Sequence, residues 1–228
     1  MRALLLDTSC PEAILAIVDD GHVVVEHKLT EMRRHAEALA HTTAELFERA
    51  GLTFSDVDVF GVGAGPGSFV GVRVGMSTAK GWAMGTGAPL VGLDGLFALI
   101  SQASTPWALA AVDARRGELY SSLWHRDDDG TWTQTAEPAA RSPEAVHALL
   151  ADIDTAALTV VGNGGALLAF DGAPTVVDVR GPDGVMLAAA FARATADGVV
   201  DEAASLVPRY LRAPDAKKPQ LRPTPAGV

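Results

Sequence analysis

Three short apolar runs open the chain, at residues 3–7, 13–18 and 23–29, and Asp20-Gly21 between the second and third is a tight-turn signal. Links this short permit only an antiparallel meander, because parallel pairing needs a crossover of about a dozen residues. The period then changes. Ala36, Leu39, Thr43, Leu46, Phe47 and Ala50 recur at three-to-four spacing, which predicts a helix over residues 34–50 with Gly51 placed as its left-handed cap. A strand at 57–62, a glycine-rich loop, a helix near 72–84, a strand at 89–93 and a short helix follow.

The same order returns in the second half. Strands are predicted at 108–113, 118–124 and 131–135, then a helix at 143–150, a strand at 158–161, a helix near 165–170, a strand at 174–177 and a helix at 184–196. No residue-level repeat accompanies it. A twice-used βββαβαβα order predicts an α/β protein of two lobes, each built on a mixed sheet, divided as residues 1–104 and 105–212 with a flexible tail at 213–228.

Composition narrows the picture. With 48% apolar residues, 20% charged residues and 23 glycines without a repeat, the chain is neither a disordered segment nor a fibre. No run of eighteen apolar residues and no secretory start occur, so it reads as soluble and cytoplasmic. Cys10 is the single cysteine, which removes internal disulfides and cysteine-cluster metal sites. A net charge of −10 argues against a large direct grip on nucleic acid by the chain alone. The basic residues gather late: Arg209, Arg212, Lys217, Lys218 and Arg222 face only Asp215.

Two segments carry candidate chemistry. Asp7-Thr8-Ser9 ends the first strand, where a carboxylate and two hydroxyls either hold a metal-bound phosphate or cap a turn. GAGPGSFVGVR, from Gly63 to Arg73, brings glycines to a helix start, where free N–H groups favour anions. It lacks the ending of a P-loop and the spacing of a dinucleotide loop, so a structural strand-to-helix turn competes with a phosphate cradle. Behind the loop, Gly71, Gly75, Ala79 and Ala83 recur every four residues and leave one helix face almost bare, open either to another subunit or to the sheet. On the first helix His35, Ala38, Thr42 and Glu45 lie off the core stripe and offer a matching second face. His35 and His41 are six apart and cannot share an ion, and no G-x-S-x-G elbow is present. Asp113, Arg115, Arg116 and Glu118 form a charged turn that either binds an anion or pairs within itself.

LLLDTS, GAGPGSFVGVRVG, DARRGELY and PRYLR, in this order over essentially the whole chain, resemble the bacterial TsaB (YeaZ) family. The resemblance implies a two-lobed actin-like ATPase fold of the ribonuclease H-like kind. It implies a role in making N6-threonylcarbamoyladenosine in tRNAs that read codons beginning with A, as a non-catalytic scaffold that pairs with the transferase TsaD and is joined by the ATPase TsaE. Contact with tRNA is then indirect, membrane contact is absent, no metal or cofactor is held by this chain, and ATP enters only at a junction with TsaD and TsaE. TsaD carries H-x-x-x-H after the strand corresponding to 89–93; here those positions fall near Gly95 and Leu99.

The family's contact with TsaD, and its self-pairing into a homodimer, use the first two helices. Carried over, the interface comprises His35, Ala38, Leu39, Thr42, Glu45, Leu46, Gly71, Val72, Gly75, Met76, Ala79 and Ala83. Asp7, Thr8, Gly65, Gly67 and Ser68 would be a vestigial phosphate site, weakened because Val70 stands where the family commonly has Thr. The competing reading is a metal- and nucleotide-dependent enzyme of the actin-like superfamily, kinase or glycoprotease-like, with Asp7, Thr8 and the 63–68 loop holding the nucleotide.

Overall fold

The structure, a computed structural model, describes residues 1–30, 35–170, 172–196 and 203–212, with the side chains of residues 35–37 left out. The expected tail at 213–228 and position 34 of the first helix lie outside the described residues.

The first meander forms as β1 (Arg2–Asp7), β2 (Ala13–Asp19) and β3 (His22–Leu29). It is followed by α1 (His35–Ala50), β4 (Val59–Gly63), α2 (Phe69–Thr86), β5 (Leu90–Leu93) and α3 (Gly95–Ile100). The second half contains β6 (Trp107–Arg115), β7 (Glu118–Arg126), β8 (Trp132–Arg141), α4 (Pro143–Leu149), β9 (Leu158–Val161), β10 (Thr175–Val177) and α5 (Gly184–Thr195). The sheets are ordered β3-β2-β1-β4-β5 and β10-β9-β6-β7-β8. Each therefore has a central first strand, antiparallel to the meander on one side and parallel to the later strands on the other. This is the mixed, duplicated sheet order of the actin-like ATPase fold.

Two predicted elements differ. The helix near 165–170 is only a single 3-10 turn at Gly165–Leu167, because Gly164 supplies no capping side chain and so short a segment does not offset the cost of nucleating a helix. The strand at 131–135 continues to Arg141 through Pro138. Proline normally ends a strand, but β8 is an edge, where a missing N–H breaks no ladder.

Three apolar clusters hold the layers. α1 and α2 cover one face of the first sheet over Leu4, Leu6, Leu15, Ile17, Phe60 and Val62. α4 covers the outer face of the second, where Val146 and Leu150 meet Leu109, Leu119 and Leu123. The third cluster lies between the sheets and belongs to both, joining Leu5, Ile14 and Leu93 to Ala110, Trp124 and Val161.

Two exchanged helices produce that shared core. α3 leaves the first sheet and packs on β6, β7 and β9; α5 leaves the second and packs on β1, β2, β3 and β5. All six residues of α3 are buried, so it presents no wet face. Asp94 caps it by accepting from the Leu96 and Phe97 amides at 2.9 and 3.1 Å. α5 is fixed at both ends. Glu26 of β3 accepts from the Gly184 amide at 2.7 Å, placing a carboxylate at the positive helix terminus. At the far end Arg193 donates to the Trp132 carbonyl at 3.0 Å and lies over the rings of Phe97 and Trp124, at 4.8 and 4.9 Å.

Leu187 of α5 is fully buried in this shared core. Leu187→Ala is expected to cost about 3 kcal/mol through lost transfer energy and a residual cavity, measured as a lower urea midpoint in one cooperative transition. Separate melting of two halves would contradict a common core.

Candidate functional site

The carboxyl ends of β1 and β4, the start of α2 and the β6–β7 turn meet at one side of the molecule. Between them lies a cavity of about 750 Å³, lined by Ser9, Pro11, Pro66–Phe69, Val72, Arg73, Val112–Arg115, Tyr120 and Asn163, with residues 209–212 across it. That volume suits a small-molecule pocket. It brings both sequence-marked segments, the DTS triplet and the DARRGE turn, to one place.

On the first-lobe side the glycine-rich loop is bonded to the end of β1. The Ser9 carbonyl accepts from the Ser68 amide at 2.7 Å, and the Thr8 hydroxyl donates to the Gly71 carbonyl at 2.7 Å. A Cβ on Gly67 would overlap the Ser9 backbone, and one on Gly71 would overlap the Thr8 carbonyl. The glycines thus let α2 and its loop settle directly onto the end of β1. Ser68 caps α2 by accepting from the Gly71 amide at 3.2 Å, so this donor also serves the helix itself. Of the expected phosphate-site residues, Thr8 is buried and bonded within the chain and Ser68 also caps α2, while Gly67 and Ser68 line the cavity.

Asp7 has a different character. It is 1% exposed; one carboxyl oxygen accepts from the Ser9 amide at 2.6 Å, and Oδ2 has no partner. Burial raises its pKa above the usual carboxylate range, against the opposing pull of Ser9. The neighbouring Cys10 thiol is pushed up to about 12 by burial and by Asp7. It is therefore a poor nucleophile.

The second-lobe side is more open. Arg115 and Arg116 have φ of 66° and 59°, the left-handed region that non-glycine residues seldom occupy. The Arg115 amide donates to Asp113 at 2.7 Å and its guanidinium pairs with the same carboxylate at 3.3 Å. Glu118 turns instead to Arg212, at 2.8 Å. Asn163 accepts from the Asp113 amide at 3.1 Å and fixes the base of the turn.

The segment 209–212 was legible as a motif but not as a wall of the cavity. The Arg209 amide donates to the Ala64 carbonyl at 2.8 Å, and its side chain pairs with Asp94 at 3.3 Å. Tyr210 accepts from Arg73 at 2.7 Å, and its ring lies 5.3 Å from that of Phe69. Arg212 also donates to the Ala114 carbonyl at 3.1 Å. The PRYLR motif and the late cluster of basic residues marked the segment without indicating these contacts.

The expected partner interface requires correction. Gly75, Val72, Met76, Ala79 and Ala83 are buried against the chain's own sheet, and a Cβ on Gly75 would lie 2.5 Å from the Thr8 hydroxyl. The small residues bring the helix down onto β1 and β4, leaving no groove for another subunit, and Gly71 serves the same contact. Leu39, Thr42 and Leu46 are likewise buried. Of the expected interface positions on α1, Ala38 and Glu45 remain half-buried, while the His35 side chain lies outside the described residues. The exposed face of α2 is a different one, with Phe69, Val70, Arg73, Ser77, Gly81 and Met84. Val70 and Met84 are 68% and 80% exposed.

Gly95 and Leu99 are buried in α3 and carry no donor side chain. Among the described residues no group of three or more histidine, cysteine or acidic side chains could hold a metal ion. No helix among them is long and apolar enough to cross a membrane.

Residues 26–221 match the family model for TsaD, tRNA N6-adenosine threonylcarbamoyltransferase. The chain is 33% identical over 154 residues to the tRNA threonylcarbamoyladenosine biosynthesis protein TsaB of Escherichia coli K12, covering 64% of this chain and 65% of that protein. An uncharacterised protein of Mycobacterium tuberculosis is 34% identical over 217 residues, covering 94% of this chain and 93% of its own length. The solved structure of YeaZ from Pseudomonas aeruginosa superimposes with a TM-score of 0.79 at 27% identity, over 92% of this chain and 99% of that one.

Gly75→Leu is expected to destabilise the monomer by about 3 kcal/mol through collision with Thr8, seen as a lowered melting temperature. Asp7→Asn tests the buried carboxyl. Because its folded pKa is raised, Asp7 favours folding fully below the ordinary carboxylate pKa, and this contribution is lost as pH rises through the folded value. The amide of the variant keeps an acceptor for Ser9 without a charge, so its melting temperature should exceed the parent's at pH 8 and converge with it at pH 4.

Proposed function

Since the chain belongs to the TsaB (YeaZ) family, we propose that it serves tRNA threonylcarbamoyladenosine biosynthesis as a non-catalytic subunit that pairs with the transferase TsaD. The observation that carries the non-catalytic part is the character of α3. The positions corresponding to the transferase's paired histidines fall near Gly95 and Leu99, both buried. Neither residue carries a side chain that could ligate a metal, and a Cβ on Gly95 would lie 3.5 Å from the Gly65 carbonyl and 3.7 Å from Asp7.

The pairing surface in this proposal is the outward face of α2 with the half-buried flank of α1. Val70 and Met84 are large apolar side chains at opposite ends of one helical face, with Ser77 and Gly81 between them. Such a face allows close approach of a second helix, from TsaD or, in its absence, from a second copy. TsaE and tRNA are then reached through TsaD, which supplies the nucleic-acid grip that a chain of net charge −10 lacks. The protein works in the cytoplasm, where tRNA is modified, and binds no cofactor of its own; ATP enters only at a junction with TsaD and TsaE.

One observation favours the enzyme reading: the unpartnered Asp7 Oδ2, a buried carboxylate oxygen at the end of β1, two residues before the cavity-lining Ser9. Calorimetry with Mg-ATP on the chain alone separates the two, since binding and turnover without TsaD would sustain the enzyme. Depletion followed by nucleoside analysis of bulk tRNA tests the pathway: threonylcarbamoyladenosine should fall, and its persistence would end the proposal. Val70→Asp combined with Met84→Asp is expected to weaken binding to TsaD by about a hundredfold at unchanged melting temperature, measured by calorimetry.

A further inference from the structure

We propose that residues 209–212 are a latch that holds the two lobes closed over the cavity. The segment grips both. Its first half is tied to the first lobe by the Arg209 amide on the Ala64 carbonyl at 2.8 Å, by Arg209 on Asp94 at 3.3 Å, and by Tyr210 under Arg73 at 2.7 Å. Its last residue is tied to the second lobe, where Arg212 donates to Glu118 at 2.8 Å and to the Ala114 carbonyl at 3.1 Å.

Chain length makes this arrangement a latch. Three residue steps separate the two anchor points, and an extended chain spans at most ~3.5 Å per residue, so the backbone between them reaches roughly 10 Å. The cavity cannot widen by more than the slack of one arginine side chain before an anchor breaks. On the opposite side the lobes are joined by the buried α3–α5 layer, which does not part without exposing the common core. One side therefore acts as a hinge and the other as a catch.

The catch is suited to release. Each of the two ion pairs keeps one partner open to solvent, with Arg209 54% exposed against Asp94 at 21% and Glu118 40% exposed against Arg212 at 24%, so solvent and salt reach and weaken both. A wall of a cavity that is made of a few separable polar contacts belongs to the low-stability end of a structure. The geometry assigns to the segment the control of access to Ser9, Ser68, Arg73, Arg115 and Asn163.

Amide hydrogen exchange on the full chain tests the latch through its reach across the cleft. Arg212→Gln removes a contact in the second lobe, yet it should accelerate exchange of the Arg209 amide, bonded in the first lobe, by about tenfold, along with residues 66–72 and 112–118. Exchange in β1 and in residues 107–111 of β6 should stay unchanged. Glu118→Gln removes the same ion pair without altering the segment and should give the same pattern. An Arg209 amide unchanged in both variants overturns the proposal, as does a pattern seen with one variant only. Equal acceleration in β1 and residues 107–111 also overturns it, because the pair would then support the fold and not the closure.

Discussion

Everything in this molecule hangs on the layer between the two sheets. Each lobe lends one helix to the other: α3 lies on the second sheet and α5 on the first, and they touch. Apolar burial is non-directional, so what fixes the angle between the lobes is the set of polar anchors at the ends of these helices. Asp94 holds the start of α3, Glu26 reaches across to the start of α5, and Arg193 ties the end of α5 to the second sheet through Trp132, Phe97 and Trp124. With the angle set, the ends of β1 and β6 face one another, and a cavity between them follows from the topology.

The chemistry that such a cleft could support is limited by how closely the first lobe is packed. Where glycines would leave backbone open to a ligand, the end of β1 occupies the opening. The arrangement is rigid at the first lobe and held by arginine contacts at the second.

The sequence conveyed the order of elements well, because helix and strand periods differ clearly in 3–7, 13–18 and 34–50. It conveyed the direction of faces less well. Gly71, Gly75, Ala79 and Ala83 announce that something approaches closely, but the spacing is the same whether that neighbour is a partner helix or the chain's own β1. An apolar helix has no polar side to break the tie, and here the outer face is itself apolar at Val70 and Met84. The strand expected at 131–135 runs further, past Pro138, and whether a strand tolerates proline depends on its being at an edge, which is a property of the whole sheet. The contacts of 209–212 join residues more than ninety positions apart, beyond the reach of any local pattern.

Cys10 carries a consequence for the environments in which the protein can work. Its thiol is buried, its pKa is pushed up to about 12, and it is the single sulfhydryl of the chain. Oxidants and electrophiles act on exposed thiolates, and this fold presents none. The fold therefore offers no exposed thiol from which a disulfide to another chain could form.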